Sequence, residues 1–453
     1  MKTQRVLHSI PLNYLLCIFI LAHIAIFLLS DLIEHVIVYL VLSITVTALY
    51  LTIAYKIIHS QKITLKPFII IAGFLACLYL LMNTNLSSDM YRYIWDGSLL
   101  NSHLNPYYYR PIDPSMADFR KDIDLFSRMG WTNQYTVYPP LAQIIFWLTY
   151  KAYIFFGYIG AKVVLASPMI ALGYYLYKNY NPKTVALYLI NPVILFECFY
   201  GAHIDIWAVF FTILTYHYFK YGKYKTSSLF LALGVLTKIF PIIFLPLFLI
   251  DLIKRKQYSY AAQYLVLVGL VIVAFYMPFI QQSLFPIIRY QSWVGDNEFN
   301  SSIYYIEKLI IADYFHLSIS LVSKASLVLF GIGSLILWRK KLSVNVILVG
   351  MLLYLLFSPV VYPWYSLFFI PFALIEVQNS QKIGILFKAG FLQGLLSLTY
   401  IDQLLEVTEL TKKTMLHEVT IVLYLSLAIL IVIFPYYKKI TKLPDFKYMP
   451  YIS

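Results

Sequence analysis

The chain is a succession of apolar runs, each about 14–25 residues long, separated by short Lys/Arg clusters. Stretches of this length are the signature of helices that cross lipid, because a helix satisfies its own backbone N–H and C=O groups where no water can. The 453 residues are 61% apolar and only 12% charged, where a soluble protein carries about a quarter charged residues. A soluble enzyme of this size would lack the charge to hydrate its exterior. An aqueous-lumen β-barrel would need short alternating segments, and these are missing. The net charge of +14 and pI near 9.3 do not mark a nucleic-acid binder, since the basic residues lie between apolar runs. The expected fold is therefore all-α: one polytopic transmembrane domain over 1–453, with about 14 apolar spans.

These spans are expected near 12–29, 36–56, 66–82, 158–177, 184–199, 204–219, 227–240, 241–253, 258–280, 315–338, 343–357, 361–377, 383–400 and 418–437. The first reads as a retained span, since Lys2 and Arg5 precede it and no small-residue cleavage site follows. With this placement the basic clusters, from Lys56/Lys62/Lys66 to Lys438/Lys439/Lys442, all fall on one side together with both termini. The positive-inside rule makes that side the cytoplasm. Charge parity holds only if 139–151, opened by Pro139-Pro140 and carrying Gln143 and Lys151, lies in the outer interface instead of crossing. Two large outer loops result, 83–157 and 281–313; loops of such length are commonly functional. Cys17, Cys77 and Cys198 sit inside apolar runs without metal-ligand spacing.

The polar residues that stand out gather on the outer side. Ser87 to Gly97 reads as a short capped helix on which Asp89, Arg92, Tyr93 and Asp96 share one face at i, i+3, i+4, i+7 spacing. Asp89 at its start suits a general base for a hydroxyl; it equally suits a partner for the helix dipole and for Arg92. Asp96 fits a structural role better. Asn105-Pro106-Tyr107 marks a turn whose tyrosines fit a pocket lining or an interfacial aromatic belt. Tyr138-Pro139-Pro140 fixes the entry to the interfacial helix. Asn191-Pro192, Glu197, His203 and Asp205 cluster at an outer hairpin, as a functional group or as a mutually satisfied pair. Lys238 sits at an outer turn where no orienting charge is needed, placed to meet a phosphate or simply to snorkel. Arg289, Tyr290, Trp293 and Asn300 mark the second loop, and Trp364 and Tyr365 a third outer hairpin. A phosphate-cradling Gly-rich loop, G-x-S-x-G, H-E-x-x-H and Cys/His clusters are all absent from the sequence. An activated donor used on the outer face would have to arrive as a membrane lipid.

The ordered set Ser88-Asp89-Met90-Tyr91-Arg92-Tyr93-x-Trp95-Asp96-Gly97, Asn105-Pro106-Tyr107, Tyr138-Pro139-Pro140-Leu141, Asn191-Pro192, Gly201-x-His203-x-Asp205, Lys238-x-x-Pro241, Phe299-Asn300 and Pro363-Trp364-Tyr365 resembles the GT-C class of integral-membrane glycosyltransferases. The chain is most similar to bacterial polyprenol-phosphate-mannose-dependent mannosyltransferases, and more distantly to GPI mannosyltransferase I. The resemblance implies a GT-C helix bundle with juxtamembrane helices in the first outer loop, and location in the bacterial cytoplasmic (inner) membrane. It implies a polyprenyl-phosphate hexose donor, with mannose the expected sugar, and a glycan or glycolipid acceptor. It implies inversion at the anomeric centre, with Asp89 as the base. Lys238, Arg92 and Arg289 are the expected phosphate ligands. Tyr93, Asp96, Asn105, Tyr107, Tyr138, His203, Asp205, Trp293, Asn300, Trp364 and Tyr365 are the expected substrate-binding residues. No cofactor is required by this reading, and a divalent cation is compatible with it. The run Gly201-Ala202-His203-Ile204-Asp205 departs from the Gly-His-Asn-Asp-like turn usual in the class. The segment 378–453 carries no recognised motif. A flippase or transporter, or a polymerase of lipid-linked glycans, would share the spans and outer aromatics; a transporter would add charges deep in several helices, often in a repeated arrangement.

Overall fold

A computed structural model describes residues 10–280 and 301–380 of the chain. Among the described residues every regular element is helical and there is no extended strand. Among the described residues four helices are long and apolar enough to cross a membrane: Val36–His59, Pro140–Asn179, the Tyr258–Phe279 segment and Ile319–Trp338. A fifth crossing results if the pair Pro182–Leu189 and Pro192–Tyr200, bent by 51°, is counted as one. Leu12–Leu28, Lys66–Leu81 and Val344–Phe357 are shorter apolar helices.

The expectation of an all-helical membrane bundle is met, while of about 14 expected spans the described residues hold the four or five candidate crossings above. The apolar runs do become helices near the expected places, yet several are too short to cross alone. The 16 residues of Lys66–Leu81 rise about 24 Å against a hydrocarbon core of about 30 Å. The run 241–253 divides into a 3-10 turn, Phe240–Phe244, and a ten-residue helix, Leu245–Lys254. The run 361–377 likewise divides into a 3-10 segment, Pro363–Phe368, and the Ile370–Ser380 helix. The expected spans at 383–400 and 418–437 lie outside the described residues, as does most of the second outer loop.

The helix starts follow local chemistry. Pro140, Pro182 and Pro192 each open a helix where an N–H would be unused. Asn181 and Asn191 accept from the first free amides, at Thr184 and at Val193 and Ile194. Within Pro140–Asn179, Gly157 has φ +60° and ψ −155°, which breaks the helix between the two pieces expected at 139–151 and 158–177. The outward faces of the long helices remain apolar: Leu28, Ile37, Ile170 and Leu327 are exposed. Continuous faces of this kind suit lipid.

The helix Asp89–Asn101 is covered on all sides, with Met90 to Leu99 buried. It packs on the first part of Pro140–Asn179, where Tyr93 stacks on Phe146 with centroids 4.4 Å apart. The two backbones approach so closely at Gly97 that a Cβ there would lie 2.0 Å from the Phe146 carbonyl oxygen. Only glycine permits this crossing, and the crossing fixes where Asp89 and Arg92 stand.

Candidate active site

Four segments converge on one open-sided hollow, whose empty space of about 850 Å³ includes the open solvent at its mouth. Asp89 and Arg92 form one wall, and the 131–139 segment another. Lys238 to Phe240 supply the third, and Tyr362, Trp364 and Tyr365 the fourth. The 131–139 segment is pinned from behind. Gln143 Nε2 donates to Thr136 Oγ1 at 2.9 Å, and Tyr107 Oη donates to the Tyr138 carbonyl at 2.7 Å.

Asp89 begins its helix, where the dipole favours a carboxylate, and its side chain keeps 16% exposure. Three groups converge on its Oδ2: Tyr93 Oη at 3.3 Å, Tyr138 Oη at 3.4 Å and His203 Nδ1 at 3.8 Å. Burial pushes the Asp89 carboxyl up, but His203, Lys238 and Tyr93 outweigh it and hold the group below the usual carboxylate value. Burial and then the Asp89 charge push both phenols well above their ordinary value, so they stay O–H donors. No partner of Oδ1 occurs among the described residues. The arrangement is an ionised carboxylate with one oxygen held and the other available.

Two cations reach the hollow, each with its own counter-charge. Lys238 follows the Tyr224–Thr237 helix in extended backbone. Its Nζ lies 2.5 Å from Asp205 Oδ1 and 4.7 Å from the centre of the Tyr365 ring. Asp205 opens the Asp205–Lys220 helix and is fully buried. Arg92 Nε bonds Asp96 Oδ1 at 2.8 Å and Nη1 bonds the Trp131 carbonyl at 2.9 Å. Among the described residues its buried Nη2 has no hydrogen-bond partner. A planar guanidinium with a spare donor at a cavity wall is suited to an anion.

His203 is enclosed between two carboxylates, its Nε2 3.3 Å from Glu197 Oε2. Its ring stacks on Trp364 with centroids 4.0 Å apart and planes within 13°. Burial would lower this imidazole; the contacts with Asp89 and Glu197 prevail and raise it to about 9. Among the described residues no three His, Cys, Asp or Glu side chains are gathered as a metal ion would require.

The structure thus brings together Asp89, Arg92, Tyr138, Lys238, Trp364 and Tyr365 at the hollow, with Tyr93, Asp96, His203 and Asp205 directly behind. Asn105 and Tyr107 stand elsewhere. Asn105 Oδ1 accepts from the Tyr107 amide at 3.1 Å and its Nδ2 donates to the Phe279 carbonyl at 2.8 Å, so it shapes a turn and ties it to the bundle. Neither residue lines the hollow; their polar groups are used in holding the loop. Arg289, Trp293 and Asn300 lie outside the described residues. The wall formed by Trp131, Gln134, Tyr135 and Thr136, together with Tyr354 and Tyr362, was not expected from sequence. Only the nearby Pro139-Pro140 hinted that the segment was fixed.

Residues 26–255, just over half of the chain, match the MptA_B family, described as alpha-(1->6)-mannopyranosyltransferase, N-terminal domain. The matched stretch contains Asp89, Arg92, His203, Asp205 and Lys238. No curated protein matches the chain. A membrane protein, helical throughout its described residues, whose Asp89–Asn101 helix opens on a carboxylate in a hollow flanked by cations belongs, by that match, to the MptA_B family and is a mannosyltransferase.

Proposed function

We propose that the enzyme moves mannose from a polyprenyl-phosphate donor to the primary 6-hydroxyl of an acceptor glycan or glycolipid on the outer face of the cytoplasmic membrane. The observation that carries the reading is the shared hollow. An ionised carboxylate, Asp89, lines the same hollow as Lys238 and Arg92. Asp89 Oδ1 takes the proton of the acceptor hydroxyl as that oxygen forms its bond to the anomeric carbon. The bond from that carbon to the phosphate oxygen breaks, and its electron pair stays on the lipid phosphate. Lys238 and Arg92 stabilise the charge that grows there. A positioned base contributes about 10²–10⁴-fold to such a step.

The α-(1→6) linkage in the family description then constrains the donor. A single displacement inverts the anomeric carbon, so an α product requires a β-linked mannosyl phosphate. Tyr362, stacked on Trp364 with centroids 4.4 Å apart, lines the hollow and gives the sugar an aromatic wall. The test is incubation of purified enzyme with a β-linked polyprenyl-phosphate mannose and a short mannose oligosaccharide. Stoichiometric release of polyprenyl phosphate with a new α-(1→6) mannose supports the reading. Translocation of donor across proteoliposomes without its consumption would replace it with a flippase.

A further inference from the structure

Glu197 has no part in the mechanism above, yet the chain is folded tightly around it. It is 3% exposed, in the π-helical turn Phe196–Tyr200; such turns often mark functional sites. The turn closes with the Gly201 amide donating to the Phe196 carbonyl at 3.0 Å, and the His203 amide to the Glu197 carbonyl at 3.1 Å. Between them Ala202 takes φ +53°, a left-handed conformation unfavourable for a residue with a Cβ. The effect is to turn the chain back and set the His203 ring over the Glu197 carboxylate. There is no room for anything else: a Cβ at Gly201 would lie 2.7 Å from His203 Cδ2 and 3.0 Å from Glu197 Oε2. Trp364 fixes the plane of the ring from the other side.

Both imidazole nitrogens are buried without an aligned hydrogen bond, but each faces a carboxylate oxygen, at 3.3 Å and 3.8 Å. Only the doubly protonated ring offers a donor to both. Catalytic hydrogen bonds of this kind tighten when substrate fills the site.

We propose that Glu197 is a positioning residue that acts through His203, keeping it an imidazolium whose Nδ1–H holds Asp89 Oδ2 and leaves Oδ1 to take the acceptor proton. No proton moves along the array during transfer; His203 keeps both of its own. The inference rests on Asp89 being the base.

Titratable groups face this array from several elements. Tyr93, Tyr138 and the Lys238–Asp205 pair stand beside Asp89; Tyr39, Cys198 and Tyr200 stand beside Glu197, and His23 and Tyr79 line the small cavity next to it; Tyr362 backs the Trp364 ring. Activity then requires ionised Asp89 at the acid limb and protonated His203 at the alkaline limb. Without the Glu197 charge, His203 loses its proton at lower pH and the alkaline limb falls. Asp89 titrates far below that range, where His203 stays protonated with or without Glu197, so the acid limb does not move. The pH window narrows from the alkaline side.

The test is kcat against pH for the full-length enzyme in lipid nanodiscs. The wild-type alkaline limb is expected near 9. Glu197→Gln is expected to move the alkaline limb down by about one pH unit, with the acid limb and donor affinity unchanged. Glu197→Asp, which retains the charge, is expected to restore the alkaline limb. A Glu197→Gln enzyme with wild-type limbs and kcat lowered equally at every pH would overturn the inference. Should that variant fail to fold, a wild-type alkaline limb at 6.5, the ordinary imidazole value, overturns it as well. Asp89→Asn separates the two failures. A live Asp89→Asn enzyme removes the base; a dead one beside unmoved Glu197→Gln limbs removes only the role of Glu197.

Discussion

The molecule buries cations in two places, and they are built differently. Deep in the bundle, Lys162 is 1% exposed and its Nζ donates to the carbonyls of Met82, at 2.5 Å, and Tyr79, at 3.4 Å. It therefore fastens the C-terminal end of the Lys66–Leu81 helix, where the dipole and the spare carbonyls favour a cation. Nearby, His23 Nδ1 is bonded to the Tyr79 hydroxyl. In the candidate active-site hollow Lys238 is matched instead by a carboxylate, Asp205, and its side chain keeps 19% exposure. A cation ended on backbone carbonyls serves the fold. One balanced by a carboxylate and left open on one side retains capacity for an incoming anion.

If that contrast is sound, the two lysines separate stability from turnover. Lys238→Met is expected to lower kcat by about 10²–10³-fold, the usual cost of removing one charge-stabilising donor, while the protein stays monodisperse; comparable turnover in both enzymes would break the comparison. Gly97→Ala comes next, since its Cβ would meet the Phe146 carbonyl at 2.0 Å. Overpacking of this kind costs about 1–3 kcal/mol or more, read as a lower unfolding temperature in detergent. Lys162→Met leaves two carbonyls without their donor and is expected to cost about 1–3 kcal/mol of stability, with kcat in the surviving protein unchanged. The smallest effect is expected for Tyr107→Phe, which removes one hydrogen bond behind the Tyr138 wall, about 0.5–1.5 kcal/mol, seen as a modest rise in KM.

These expectations depend unevenly on what the sequence carries. The apolar runs are legible because burial in lipid demands length and composition together, and helices form at most of the expected places. Their status as separate crossings is not legible, because proline-initiated short helices such as Leu245–Lys254 and the 51° bend before Pro192–Tyr200 interrupt runs that composition alone joins. Asp89, Arg92 and Lys238 are readable as polar residues set against apolar surroundings, and they meet in one hollow. Asn105 and Tyr107 carry the same signal, but their polar groups are used in a turn. The contact of Glu197 with His203 arises from a left-handed Ala202 and a π turn, neither of which has a sequence period. The 131–136 wall is likewise irregular backbone, with Trp131 at φ +58°, and belongs to no repeating pattern.

Asp89→Asn bears most directly on the central claim that Asp89 is the base. The amide keeps the side chain's shape and the helix start but cannot accept the proton. In a single-turnover experiment with donor pre-bound to purified enzyme, transfer to the acceptor is expected to fall by about 10²–10⁴-fold while donor binding persists. Transfer at close to the wild-type rate would contradict the account.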